Sequence, residues 1–211
     1  MVVVGPNGAG KTSLLRACAG LLPVTSGEAN VLGVDLTADH AAVRRFVGLL
    51  GHAAPIYDEL SAAENVRFAV RALGLPVKSA DEALERLGIT GRLRSTPAGR
   101  LSAGQRRRVA LAALVARRPA LWLLDEPHAG LDATSRALLG ELIGEVASSG
   151  ASVLLSSHEP HLSVPLADRV VSMGGGRVVG EEPGGRRVTL TAVPTPGADE
   201  SSGTVGATHV A

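Results

Sequence analysis

Apolar residues fall into two spacings along this chain. Short continuous runs recur at Val2-Val3-Val4, Phe46-Val47-Gly48-Leu49-Leu50, Ala120-Leu121-Trp122-Leu123-Leu124 and Ser152-Val153-Leu154-Leu155-Ser156. Runs this short, apolar on both faces, predict strands buried in a parallel sheet. Glu28 to Leu32 reads as a weaker edge strand. Arg169 to Met173 and Arg177 to Gly180 read as two short strands joined by Gly174-Gly175-Gly176. Between the runs lie helical stretches with start and stop signals. Ser61-Ala62-Ala63-Glu64 is a capping box that opens a helix to about Leu73, where Gly74 and Pro76 stop it. Ser79 with Glu82 predicts a second such start, for a helix ending at Gly88. Ser102-Ala103-Gly104-Gln105 predicts a third, reaching about Arg117 before Pro119. Helices are also expected over Ser13 to Ala19, Asp39 to Arg45 and about Ala133 to Ala147.

Strands that alternate with helices predict an α/β fold, a mostly parallel sheet flanked by helices. The stretch from Ser61 to Gly99 has no strand pattern, so a helical subdomain of about 61–117 is expected, inserted in a body spanning 1–181. From 182 to 211 Gly, Pro, Thr, Ser and Ala dominate and periodicity fades, which predicts a disordered, low-complexity tail.

Composition narrows the picture. Aromatic residues are 2% of the chain, so Leu, Val and Ala must build the core. A net charge of +1 gives no case for nucleic acid as an electrostatic partner. The single cysteine, Cys18, cannot form an internal disulfide, which fits a reducing compartment. No run approaches the ~18 apolar residues of a membrane span, and no signal-peptide pattern opens the chain. A soluble protein is expected, reaching a membrane only through a partner.

The chemistry begins at Gly5-Pro6-Asn7-Gly8-Ala9-Gly10-Lys11-Thr12, the pattern G-x-x-x-x-G-K-S/T between a strand and a helix. Its glycines let successive amides turn inward as an anion nest, and the helix start adds its positive dipole end. Lys11 suits the β- and γ-phosphates of a nucleoside triphosphate, and the Thr12 hydroxyl suits Mg²⁺. Phosphate chemistry also wants a carboxylate at the end of a neighbouring strand. Asp125 meets that need as a Mg²⁺ ligand, and Glu126 is placed to orient or deprotonate water. His158 follows another strand and suits the γ-phosphate. Leu101-Ser102-Ala103-Gly104-Gln105 is a helix start able to hold an anion, and a second cradle makes sense if it serves the nucleotide of another subunit.

Taken in order, these segments resemble the motif set of ABC-type ATPases over roughly Val2 to Gly180. Gly5 to Thr12 corresponds to Walker A, Leu101 to Gln105 to the signature, Leu121 to Glu126 to Walker B with its catalytic glutamate, and His158 to the switch histidine. Ala129-Gly130-Leu131-Asp132 is similar to the D-loop. The resemblance implies an ATP hydrolase with catalytic Glu126, His158 and Lys11, and with Thr12 and Asp125 on Mg²⁺. It implies nucleotide contacts from Gly5 through Thr12, Ser13, His52, Leu101 through Gln105 and Asp132. It also implies a head-to-tail homodimer whose helical subdomain docks on an integral-membrane permease at the inner face of the cell membrane.

Two departures from the family pattern stand out. His52 occupies a place where the family usually has glutamine; with Leu101 to Gln105 and Ser156-Ser157-His158-Glu159 it resembles the ATPase subunit of the cytochrome c maturation haem exporter. The family also carries about three strands before Walker A, with an aromatic residue that stacks on adenine. Only three residues separate Met1 from Gly5. A misassigned start or an incomplete domain is expected, and loss of stacking by itself weakens ATP binding by ~1–3 kcal/mol. An unpaired sheet edge is expected as well. Haem export is therefore the leading reading; another exporter of unknown cargo and a poorly active remnant remain open beside it. A soluble ABC ATPase of translation or DNA repair lacks support, since the chain has one short domain, and a P-loop kinase has no use for Leu101 to Gln105.

Overall fold

The structure, a computed structural model, describes residues 1–51 and 55–185. Its strands are β1 (Val2–Val4), β2 (Asn30–Val31), β3 (Val34–Asp35), β4 (Val47–Leu50), β5 (Leu121–Asp125), β6 (Ser152–Ser157), β7 (Arg169–Gly174) and β8 (Arg177–Pro183). The main sheet runs β4-β5-β6-β1-β7-β8, parallel except for the β7–β8 hairpin. Register decides what this sheet can do. Val4 lies opposite Ser157, and Asp125 lies opposite Ser156, so β1, β5 and β6 end level. Whatever follows those strands emerges at one edge of the sheet.

Alternate strand residues feed two cores, because successive side chains point to opposite faces. Val3, Leu123 and Leu154 pack with Leu15 of helix α1 (Lys11–Cys18). Val2, Leu124 and Leu155 belong to the larger core on the other face. That core continues into four helices that follow the short α2 (Leu36–Asp39): α3 (Ala62–Arg71), α4 (Val77–Arg86), α5 (Arg92–Ser95) and α6 (Ala103–Arg117). Then come α7 (Ala133–Ser148) and α8 (Pro160–Ser163). Helix α6 packs on α3 and α4 and also on β4, where Gly48 makes the close approach possible. A Cβ there would sit 2.1 Å from Leu114 Cδ1 and 2.7 Å from Pro119 Cγ. An exposed Arg86–Glu145 ion pair ties α4 to α7.

The capping boxes at Ser61 and Ser102 form with both arms in place. The one expected at Ser79 does not. Helix α4 begins earlier, at Val77 after Pro76, and the Ser79 hydroxyl donates to the Pro76 carbonyl. Glu82 pairs with Lys78 one turn back instead. The weak strand at Glu28 to Leu32 shrinks to β2, in a hairpin of its own with β3. Leu32 and Gly33 both take positive φ there, as a two-residue hairpin turn requires. The helix expected over Asp39 to Arg45 is split. Asp35 caps α2, and the Asp39 carboxylate then accepts from the Ala41 and Ala42 amides and turns the chain into a short 3₁₀ segment. β8 reaches Pro183, past the start expected for the tail, because its residues pair with β7 as far as Arg169. Its outer edge has no strand beside it among the described residues, and Val178 and Val179 are exposed there. β1 lies inside the sheet, so the edge strands are β4 and β8. No helix among the described residues is long and apolar enough to cross a membrane.

Candidate functional site

The level strand ends bring three sequence segments together. After β1 the chain turns at Gly5, whose φ of +151° and position against β7 both require glycine; a Cβ would lie 2.3 Å from the Met173 carbonyl oxygen. Gly8 and Gly10 also take positive φ, and Gly10 stands at the start of α1 with no side-chain cap. The orphan amides of the first turn are thereby left to an anion. The loop is closed by the Ala9 amide donating to the Pro6 carbonyl, and it is braced when the Gly176 amide, from the β7–β8 turn, donates to the Ala9 carbonyl. Lys11 is 6% exposed. Its Nζ donates to the Gly5 and Pro6 carbonyls at 2.8 and 3.2 Å and stands 4.0 Å from Glu126 Oε1.

A cleft of about 300 Å³ is lined by Asn7 through Ser13, Asp125 and Glu126. Three larger crevices, of about 330, 460 and 500 Å³, hold none of these residues. Across the cleft the Thr12 hydroxyl donates to Asp125 Oδ2 at 2.9 Å. Ser156 donates to the other oxygen, Asp125 Oδ1, at 2.6 Å, and accepts from the Glu126 amide at 3.1 Å. Glu126 has a φ of +50°, a left-handed conformation that costs a non-glycine residue energy and is held here by its neighbours. The His158 amide and ring Nδ1 both reach Glu126 Oε2, at 3.1 and 2.7 Å. An ionised carboxylate only accepts, so Nδ1–H donates.

Beneath these acids lies Arg107, 5% exposed. Its Nη1 donates to the Gly51 carbonyl, and its Nη2 to the carbonyls of Asp125 and Glu126. Burial lowers its guanidinium from the usual range, while Asp125 and Glu126 pull the other way; an arginine stays charged under such a shift. His128 is buried beside them with no partner for Nδ1. Burial first, then Arg136, holds its imidazole below the ordinary histidine range, against the pull of Glu159 and Glu126.

The remaining expected residues stand apart from the cleft. Ser102 and Gln105 bind each other's backbone amides in the capping box. Leu101 is buried in the core, so its side chain anchors the turn. Ala103 is exposed, and Gly104 faces the Gly130 carbonyl, 3.6 Å from where a Cβ would be. None of the five lines the cleft of its own chain. Asp132 caps α7, and hydrogen bonds from Ser135 hold its carboxyl below the usual range. His52 lies outside the described residues.

Sequence reasoning assigned no role to Ser156 or His128 and did not single out Arg107 within the run Arg106-Arg107-Arg108. Arg107 had a usable signal: it shares helical spacing with Ala110, Leu111 and Leu114, all on the buried face of α6. Ser156 closes an apolar strand just before His158, where a buried hydroxyl needs a partner.

Comparison with known proteins agrees with this geometry. A family model described as ABC transporter matches residues 1–129. The cytochrome c biogenesis ATP-binding export protein CcmA of Cupriavidus pinatubonensis is 41% identical over 175 residues, covering 82% of this chain and 76% of that protein. The CcmA protein of Bordetella bronchiseptica is 45% identical over 157 residues, covering 73% and 70%. The daunorubicin resistance ATP-binding protein DrrA3 of Streptomyces coeruleorubidus is 36% identical over 200 residues, covering 89% of this chain and 63% of that protein. Among solved structures, a dimeric post-hydrolysis state of the ATP-binding cassette MJ0796 bound to ADP and Pi superposes with a TM-score of 0.77 at 25% identity, covering 89% of this chain and 85% of that one. Motif order, sheet order and these likenesses converge: the chain belongs to the ABC transporter family, as a nucleotide-binding, ATP-hydrolysing subunit.

Proposed function

We propose that this chain hydrolyses ATP as one half of a head-to-tail dimer, and that the dimer drives a membrane-embedded export subunit in cytochrome c biogenesis with haem as the cargo. One observation carries the catalytic part: Thr12, Asp125, Ser156, Glu126 and His158 form one hydrogen-bonded series along the cleft. The loop amides and Lys11 bind the phosphates. Lys11 exchanges the Gly5 and Pro6 carbonyls for phosphate oxygens when nucleotide enters.

The Thr12 hydroxyl and Asp125 carboxylate are hard oxygen donors side by side, which suits Mg²⁺. That ion needs few protein ligands because it keeps waters and substrate phosphates. Bound there, Mg²⁺ would neutralise phosphate charge. Glu126 accepts a proton from water as the water oxygen bonds to the γ-phosphorus; the bond from that phosphorus to the bridging oxygen breaks, and ADP leaves with that electron pair. His158 fixes the carboxylate and stands towards the γ-phosphate. Ser102, with the start of α6, addresses the nucleotide of the second subunit, because it lines no part of its own cleft. Asp132 follows Gly130, whose carbonyl faces Gly104 in that turn.

The membrane partner docks on the helical subdomain, and support comes from its surface. Tyr57 and Phe68 form an edge-to-face pair with centroids 5.1 Å apart, yet both are about half exposed. In a chain with so few aromatics, such a pair left in water suits a buried partner contact. The protein then works at the cytoplasmic face, held there by its permease. The likeness to DrrA3 favours one second reading, export of another cargo by the same motor.

The test is Glu126→Gln with ATP. Turnover falls by at least about a hundredfold, and sedimentation shows an ATP-dependent dimer. Wild-type turnover, or a strictly monomeric variant both alone and with its membrane subunit, refutes the motor. Stimulation of wild-type turnover by haem, in membranes carrying the export subunit, separates the haem reading from the other cargo.

A further inference from the structure

Arg107 does not itself line the cleft, yet it ties together two strand ends beside it, those of β4 and β5. Gly51 follows β4, Asp125 ends β5, and Glu126 follows it. All three present carbonyl oxygens to one guanidinium, at 2.8, 3.1 and 2.9 Å. The fork of an arginine can serve several acceptors at fixed angles, which a lysine cannot. Glu126 is also the residue with left-handed backbone, so its carboxylate is aimed by whatever fixes its main chain. Arg107 fixes it from below, while Ser156 and His158 fix it from the strand side.

The other end of Arg107 matters equally. It sits in the second turn of α6, whose first residue follows Ser102. The turn at Ser102 and the carboxylate of Glu126 are therefore joined through one side chain. We propose that Arg107 is a positioning residue that couples the two nucleotide sites of the dimer, tying this chain's Glu126, which serves its own nucleotide, to the Ser102 turn, which serves the partner's. This rests on the head-to-tail reading above.

Two linked experiments test it. Arg107→Gln and Arg107→Lys are made first, with melting and nucleotide binding as checks on folding. The expected result is a loss of kcat of about ten- to a hundredfold for Gln, a smaller loss for Lys, and KM for ATP within about threefold of the wild type. Loss confined to KM, or equal kcat for wild type and Arg107→Gln, overturns the positioning role.

The second experiment uses mixed dimers in which Lys11→Ala disables the loop of one subunit, so that a single hybrid site remains. That site has its loop and Glu126 from one subunit and its Ser102 turn from the other. Arg107→Gln is placed in either subunit in turn. Coupling requires that both placements lower turnover. A loss only when the variant shares a chain with the working Glu126 reduces Arg107 to a local brace and overturns the coupling. Failure of Glu126→Gln to dimerise with ATP removes the parent reading, and is seen before the mixed dimers are made.

Discussion

His158 grips a single oxygen of Glu126 twice, with its backbone amide at 3.1 Å and its ring Nδ1 at 2.7 Å. The amide bond survives substitution of the side chain by any residue but proline; the ring bond does not. His158→Ala is expected to keep the fold and nucleotide affinity while kcat falls by about ten- to a hundredfold, the scale of a small misplacement of a reacting group. Steady-state kinetics check this. Unchanged kcat would leave the ring with no part in turnover.

Ser156 is wholly buried and serves both acids at once. Ser156→Ala removes a donor from Asp125 and leaves the Glu126 amide without its acceptor. Such an orphaned buried group costs about 1–3 kcal/mol. Urea unfolding should show a lower midpoint with an unchanged slope, together with reduced turnover. A midpoint equal to wild type contradicts the assignment.

At Gly5 the Met173 carbonyl occupies the space of a side chain, and φ is positive. Gly5→Ala is expected to destabilise by more than about 1 kcal/mol and to weaken binding of a fluorescent ATP analogue, since the loop must shift away from β7. Gly8 has open space around it. Gly8→Ala should therefore cost less stability, and a reversed order in thermal melts would count against this account of the loop.

His128 links stability to pH. Burial depresses its folded pKa below the ordinary 6.5, so the unfolded chain takes up the proton first as pH falls. Stability is therefore full above about pH 6.5 and is lost progressively on acidification towards the folded value. The charges facing the ring are Arg136 and Arg107, which favour the neutral form, and Glu159 and Glu126, which oppose it. Melting temperature between pH 7 and 5.5 should fall more steeply for the wild type than for His128→Phe, which has no proton to take up. Parallel curves would show that His128 is not the titrating group.

The exposed aromatic pair offers a test of docking. Phe68→Ala should leave the ATPase rate of the isolated chain within about twofold, since truncation of a half-exposed side chain far from the cleft changes little. Stimulation by membranes carrying the export subunit should be lost. Equal stimulation of variant and wild type would move the docking face elsewhere.

Much of this site could be read from residue order, because its parts are local signals. The glycines and lysine of the loop, the acids after an apolar strand and two of the capping boxes are each contained in a few consecutive residues. What escaped depends on register. Ser156 matters because β6 places it opposite Asp125, and no local pattern states that pairing. Arg107 is one of three consecutive arginines, and only the packing of α6 shows which of them points inward. The missed start at α4 has a simpler cause: Pro76 already fixes a backbone suited to opening a helix, so Ser79 is a turn too late to cap it.

Gly48 carries one mechanical consequence. With Leu114 and Pro119 seated against its bare backbone, the far half of α6 is clamped to the sheet, and Arg107 bolts the near half to the strand ends. A rod of fifteen residues, about 22 Å long, held at two points cannot swing. Helix α6 is thus part of the chassis, and α3 and α4, which pack on it, inherit that anchorage.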